Sequence, residues 1–317
     1  MTPRIRARII RAACPAAVAA ALLAPAAAAP ATAAAPAVVI GIGDQNPAFF
    51  SDPRFASLGL TEARYIVPWN TAITRDGRWR AQTRQWLAAA KAAGVTPLVS
   101  FTGTGYSSPK VSDYVRAVRT FLHDFPSVKR FTAWNEPDWI YRSLARQPQL
   151  AATYYDVLQS SCHSCLVVAG DVYLPAPQLG PWLKAYTRAL HHHPQAWALH
   201  DYYDVRDHVT SQLRTLQRYT RGSIWLDETG GVEHRGHWQR ESPAAAAANE
   251  RYLFSLPQRF PRISRIYHYQ WQVTTRDGWD SALVAFDGRV RPAYNLLRSL
   301  VRKQPYAIKK PPYAIAR

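Results

Sequence analysis

The 317-residue chain is 48% hydrophobic, 12% aromatic and 19% charged. That balance excludes a disordered tail or a coiled coil and leaves enough apolar mass for one large domain. Its 39 Lys and Arg outweigh 21 Asp and Glu, which favours acidic surroundings such as an anionic cell wall. The cations are scattered and form no recognisable nucleic-acid motif, so nucleic acid is not expected as a partner.

The first segment reads as a leader. Arg4, Arg6, Arg8 and Arg11 give a positive start, Ala16 to Ala29 is apolar, and Ala31-Thr32-Ala33 supplies a small-x-small cleavage site. Residues 1–33 therefore resemble a secretory signal peptide, and the protein is expected to be secreted, extracellular or in the cell envelope. Pro25 and Pro30 interrupt the apolar run, which is too short to span a bilayer. Cys14 precedes the run, which argues against a lipid anchor, and no later segment offers a long uncharged apolar stretch. Stable membrane insertion is not expected.

From residue 34 to 303 short β-branched and aromatic runs alternate with helical stretches. In chain order the expected strands are Val38–Gly43, Ala63–Pro68, Pro97–Phe101, Phe131–Asn135, Leu166–Gly170, Trp197–Tyr202, Ile224–Glu228 and Ile266–Trp271. Their uninterrupted hydrophobicity suits parallel strands covered on both faces. Between them, Trp79–Ala93 predicts a helix stopped by Gly94. Ser108-Pro109 predicts a capped start for the stripe Val111, Tyr114, Val115, Val118, Phe121, Leu122 and Phe125, closed by Pro126. Pro243–Leu256 and Pro292–Val301 open in the same way, and residues 304–317 form an irregular tail.

Eight strands, each followed by a helix, predict an α/β fold with a single (β/α)₈ TIM barrel. A doubly wound sheet would want a glycine-rich phosphate loop after its first strand, and Gly41-Ile42-Gly43-Asp44 lacks the third glycine. Within Ser161-Cys162-His163-Ser164-Cys165, neither a thioredoxin-like context nor a second pair of zinc ligands is present. In an oxidising compartment, Cys162 and Cys165 are expected to form a local disulfide.

Barrel active sites form at the carboxyl ends of the strands. Two strands end in glutamate, Glu136 after the fourth and Glu228 on the seventh, 92 positions apart. Three βα units of about 31 residues predict roughly that interval. Two facing carboxyl groups, one holding a proton and one ionised, are what hydrolysis of a glycosidic bond requires. Aromatic residues follow the strand ends: Trp69, Tyr106, Trp139, Tyr173, Tyr203 and Trp279. Such rings stack on the apolar C–H faces of sugars, whereas Trp86 and Trp182 lie within helical stretches and read as core. His191-His192-His193 sits at a helix end and His234 and His237 in a loop, without the spacing of a metal motif. No metal and no cofactor are expected.

The tetrapeptide Trp134-Asn135-Glu136-Pro137, with Glu228 closing the seventh strand, resembles the clan A glycoside hydrolases, the retaining (β/α)₈ glycosidases. The resemblance implies that Glu136 is the general acid/base and Glu228 the nucleophile. It further implies that Arg64 keeps the nucleophile ionised and that Asn135 binds the sugar hydroxyl next to the reacting carbon. His200 and Tyr202 match the sixth-strand His-x-aromatic pair, and Trp271 the tryptophan that floors the subsite at the cleaved bond. The Asp287-Gly288 hairpin leading to Arg291 resembles xylosidase-like members, and a β-glucanase-like member fits equally well. Asp227 stands where relatives more often carry Thr or Ser, and strict strand alternation points it away from Glu228. The expected activity is a secreted retaining β-glycosidase acting on a polysaccharide or oligosaccharide. A catalytically silent carbohydrate-binding barrel at the cell envelope is the alternative, and an inverting glycosidase a third.

Overall fold

The computed structural model describes residues 38–103, 107–139, 143–236, 239–274 and 278–303. The leader at 1–33, the tail at 304–317, Tyr106 and His237 lie outside the described residues.

The expected barrel forms. Eight parallel strands close on themselves: β1 (Val39–Gly43), β2 (Glu62–Pro68), β3 (Thr96–Thr102), β4 (Arg130–Thr132), β5 (Leu166–Val172), β6 (Ala196–His200), β7 (Ser223–Thr229) and β8 (Ile263–Tyr269). Each pairs with its neighbours in sequence, and β1 closes the ring by pairing with both β2 and β8. Helices follow the strands, so most strand residues are buried on both faces, as the apolar runs require.

The barrel interior is filled in layers. At the amino-terminal end Glu62 receives Arg130 at 2.5 Å, Arg265 at 2.9 Å and the Tyr267 hydroxyl at 2.6 Å. Above it Leu98, Val168, Ala196, Ala198, Trp225 and Tyr267 pack together. Gly41 makes room for that layer, because a Cβ there would stand 2.5 Å from the Tyr267 ring. The uppermost layer is polar and forms the site described below.

Element ends differ from the sequence expectation in instructive ways. The helix expected to be capped by Ser108 begins only at Val111 and runs to Asp124. Ser108 spends its hydroxyl on the Gln147 side chain, and the Pro109 carbonyl accepts from Tyr154 at 2.5 Å, so tertiary bonds hold this stretch extended. The fourth strand is only three residues long, and Tyr202 starts a short helix, Tyr202–Asp207, instead of ending β6. The helix Pro243–Arg259 is capped by Ser242, whose side chain accepts from Ala245 at 3.1 Å. Cys162 and Cys165 are joined in a disulfide where the helix Pro148–Ser161 turns into β5.

Beyond β7 and β8 a small antiparallel sheet forms from His234–Arg235, Gln239–Arg240 and Trp279–Asp280. Arg291, at the entry to the last helix (Pro292–Lys303), braces it through Asp280 at 2.6 Å and Glu233 at 3.2 Å. Among the described residues, no helix is long and apolar enough to cross a membrane.

Candidate active site

The polar layer at the carboxyl end of the strands is organised by Arg64 on β2, whose guanidinium is buried. It reaches Glu228 at 2.5 Å, Asp171 at 2.9 Å and the Asn135 side-chain oxygen at 2.8 Å. Its Nε lies 3.2 Å from Asp227. Ser100 on β3 donates to Asp171 at 2.5 Å, and Thr132 on β4 donates to the same carboxylate. His200 on β6 bridges two acids, with Nδ1 3.0 Å from Glu136 and Nε2 2.5 Å from Asp171. The Tyr202 hydroxyl donates to Glu228 at 3.3 Å.

So many inward groups at one level require the strands to depart from strict alternation. Register shifts occur on β5 between Gly170 and Val172, and where β6 meets β7 between Ala198 and His200. The first places Asp171, with a left-handed backbone at φ 59°, toward the barrel axis. The second lets neighbouring Asp227 and Glu228 both reach Arg64. The expectation that Asp227 points away from Glu228 is therefore corrected, because a bulge re-aims a side chain that alternation would send outward. Glu136 also has a left-handed backbone, φ 49°, held by its amide donating to the Asp171 carbonyl at 2.9 Å. Such strain in a non-glycine residue persists only where surrounding contacts impose it.

The buried groups of the layer shift one another. Burial alone would strip the proton from His200, but the charges of Glu228 and Asp171 and the bonds to Asp171 and Glu136 outweigh it, so His200 titrates well above its ordinary range. Burial would likewise raise Asp171, but Arg64 and His200 prevail and hold it well below the usual carboxylate range. Asp227 goes the other way, pushed up to about 8 by burial and by the charge of Asp171. Two cations, Arg64 and His200, thus face the ionised Asp171, while Asp227 keeps its proton at neutral pH.

This proton has a measurable consequence. An acid whose folded-state value is raised from 3.8 to about 8 favours the folded state fully below its unfolded value, and that contribution is lost as pH rises through the folded value. Each pH unit across that window removes up to about 1.4 kcal/mol from this one carboxyl. The melting temperature of the wild type is expected to fall relative to Asp227→Asn between about pH 5 and pH 8. Parallel melting curves for the two proteins across that range would show Asp227 ionised throughout.

Two acids that sequence spacing did not single out serve the site. Besides Asp171, Asp138 accepts the backbone amides of Tyr173 and Leu174, both at 2.9 Å, tying the loop after β4 to the loop after β5. Burial pushes Asp138 up to about 7. Its only sequence signal was its place two residues beyond Glu136.

The structure distributes the remaining predicted residues unevenly. Trp139, Tyr173, Tyr202, Tyr203 and Trp279 form one aromatic group, with Trp139 4.5 Å from Tyr173 and Tyr202 4.6 Å from Trp279 between ring centres. Tyr173, Tyr202, Tyr203 and Trp279 border a shallow open depression, and Tyr202 links it to Glu228. Trp69 is half-buried and packs toward Tyr114, at 6.5 Å, on the core side. Trp271 is a correction: it is 1% exposed, packed against Phe55 and Tyr294, and its indole donates to Asp52 at 3.2 Å. A ring so enclosed cannot floor a sugar subsite. The last residue of β8 is instead Tyr269, whose hydroxyl is raised by burial and by the charge of Glu228.

Two sets of potential metal ligands converge here, Glu136 with His200 and Glu228, and Asp171 with His200 and Asp227, each within 4.8 Å. Arg64 already bonds or faces Glu228, Asp171 and Asp227. A guanidinium thus occupies the cationic centre that a metal would otherwise fill.

The family described as the glycosyl hydrolase catalytic core matches residues 79–295. A family 39 glycoside hydrolase from the gut symbiont Bacteroides cellulosilyticus WH2 superposes with a TM-score of 0.59 at 15% identity over 83% of this chain. The chain spans 63% of that protein's length. A thermostable mutant of the xylanase Xyn10A from Cellvibrio japonicus gives 0.63 at 10% identity, covering 84% of this chain and 98% of its own. A subgroup I GH128 endo-β-1,3-glucanase from Amycolatopsis mediterranei, in complex with laminaripentaose, gives 0.56 at 14% identity, covering 83% and 99%. At these identities the likeness is one of fold. A comparison with curated protein sequences finds no match.

Proposed function

The chain belongs to the glycosyl hydrolase catalytic core family, and from that premise we propose an exported retaining β-glycosidase that cleaves a polysaccharide or oligosaccharide by double displacement. Membership supplies the class, a glycoside hydrolase on a (β/α)₈ barrel of the clan A kind. The roles of individual residues follow from chemistry.

Glu228 is the nucleophile. Arg64 at 2.5 Å and the Tyr202 hydroxyl at 3.3 Å hold its carboxylate in place to attack the anomeric carbon and form a glycosyl-enzyme. Glu136 gives its proton to the leaving oxygen and then, once the charge on Glu228 is lost to the ester, takes a proton from the attacking water. His200, bonded to Glu136 at 3.0 Å, orients that carboxyl. Asn135 accepts from Arg64 through its oxygen, which leaves its amide hydrogens as donors to a sugar hydroxyl.

The observation that carries the reading is the separation of the two acids. An oxygen of Glu136 and one of Glu228 lie within 4.8 Å, and His200 is near both. So close an approach supports the carboxyl spacing of about 5–5.5 Å used for direct attack over the roughly 6.5–9.5 Å that accommodates a water. The leader-like segment and basic charge support action outside the cell, and the aromatic rim supports a carbohydrate partner. Proton NMR of the first product formed from an aryl β-glycoside or β-glucan panel tests the mechanism. A β-anomer released before mutarotation is expected, and an α-anomer would make the enzyme inverting. Glycan binding without turnover, unchanged in Glu136→Gln, would point to the silent barrel.

A further inference from the structure

The depression beside Glu228 carries more charge than stacking on a neutral sugar requires. It opens directly from the acid pair: Tyr202, one of its walls, touches Glu228, and the Tyr173 hydroxyl feels the charge of both Glu136 and Arg235. Among the described residues no carboxylate lines it, yet two arginines do, Arg206 and Arg235.

The two arginines are not equivalent. Arg206 is compensated by Asp207, at 2.6 and 2.7 Å, and lies over Tyr203. Arg235 stands among Trp139, Tyr173 and Trp279, its guanidinium carbon 5.7, 5.9 and 5.6 Å from their centres. Among the described residues it has no ion pair. Arg265 shows what a packing arginine looks like in this protein: it lies 4.1 Å over Trp225 and bonds Glu62 at 2.9 Å. Among the described residues Arg235 has no counter-charge; the aromatic faces hold it by cation–π attraction, and a carboxylate is the partner that its planar fork would add.

Arg235 is also held in place. It pairs with Trp279 in the small sheet, and the Gly236 amide donates to the Gly278 carbonyl at 2.9 Å. Arg291 fixes the sheet from beneath. A guanidinium presented on a braced element, edge-free and close to a stacking surface, matches the planar fork of a carboxylate. Without the four arginines of the expected leader, Lys and Arg still exceed Asp and Glu by 35 − 21 = 14, which would draw an acidic polymer toward it.

We propose that this depression is a subsite for a uronic-acid residue of the glycan, the sugar carboxylate docking on Arg235 while its ring stacks on the aromatic wall. The proposal rests on the glycosidase reading above.

The test uses the full protein carrying Glu136→Gln, so that binding is read without turnover. The probes are hyaluronan and glucuronoxylan tetrasaccharides, each beside its carboxyl-reduced neutral counterpart, titrated by calorimetry. At least one acidic probe is expected to bind about tenfold or more tightly than its reduced form, with the preference shrinking as salt rises. Adding Arg235→Gln is expected to erase the preference and leave neutral binding unchanged, whereas Arg235→Lys retains part of it. Equal affinity for acidic and reduced probes, or a preference that survives Arg235→Gln, overturns the proposal while the glycosidase reading stands. If no glycan binds and the wild type turns none over, both fall.

Discussion

Replacing Glu228 by alanine is expected to lower kcat on an aryl β-glycoside by about a hundred-thousandfold. The loss is that large because no other group can take over. Asp227, the neighbouring acid, keeps its proton near neutral pH with its value at about 8, and Asp171 is committed to Arg64, His200, Ser100 and Thr132. The vacated volume admits a small anion. Azide added to Glu228→Ala should restore part of the rate and give an α-glycosyl azide, since attack comes from the side where the carboxylate stood. Azide rescue of Glu136→Ala should give the β-azide, because there the glycosyl-enzyme forms first and is then displaced. Full activity in Glu228→Ala, or azide products of the opposite anomers, would reverse or remove the assignment.

The barrel was legible because its signals are local. Each strand is a short apolar run, and each helix is a periodic stripe with proline or glycine at its ends, so eight repeats could be counted from residues alone. Glu136 and Glu228 were expected at strand ends, at the interval that a ring of eight equal units predicts; the structure instead sets Glu136 four residues beyond β4 and Glu228 one residue before the end of β7. What escaped was whatever depends on a local break in alternation. Asp171 lies inside an apolar strand next to Gly170 and turns inward only because the register slips there. Asp227 was assigned outward by the same rule and fails it for the same reason.

Trp271 failed differently. It was aligned with a resemblance at the end of the eighth strand, but that strand stops at Tyr269, and two residues suffice to carry the indole out of the cleft and into contact with Phe55 and Tyr294. Bulky aromatics bury well on either side of a strand end, so composition does not distinguish a floor from a core residue. The charge on Arg235 was likewise invisible, since only the pairing of two distant loops brings Trp139, Tyr173 and Trp279 around it.

Arg64→Met should damage both folding and chemistry. The methionine fills much of the same volume, so the effect isolates charge. Without the guanidinium, Asp171, Asp227 and Glu228 share a buried layer with only His200 as counter-ion. Leaving buried acids uncompensated costs about 3–5 kcal/mol of stability. Part of that cost is avoided by protonation, and Glu228 is the acid that then loses its closest cation. The carboxylate that attacks the sugar then loses the group that positions it, so kcat/KM should drop by about a thousandfold. Arg64→Lys separates the two roles: a lysine keeps one positive charge but cannot reach Glu228, Asp171 and Asn135 together as the planar fork does. It should recover much of the stability and little of the rate. A wild-type kcat/KM in Arg64→Met would mean that Tyr202 and His200 alone position Glu228, and Arg64 would then be a packing residue.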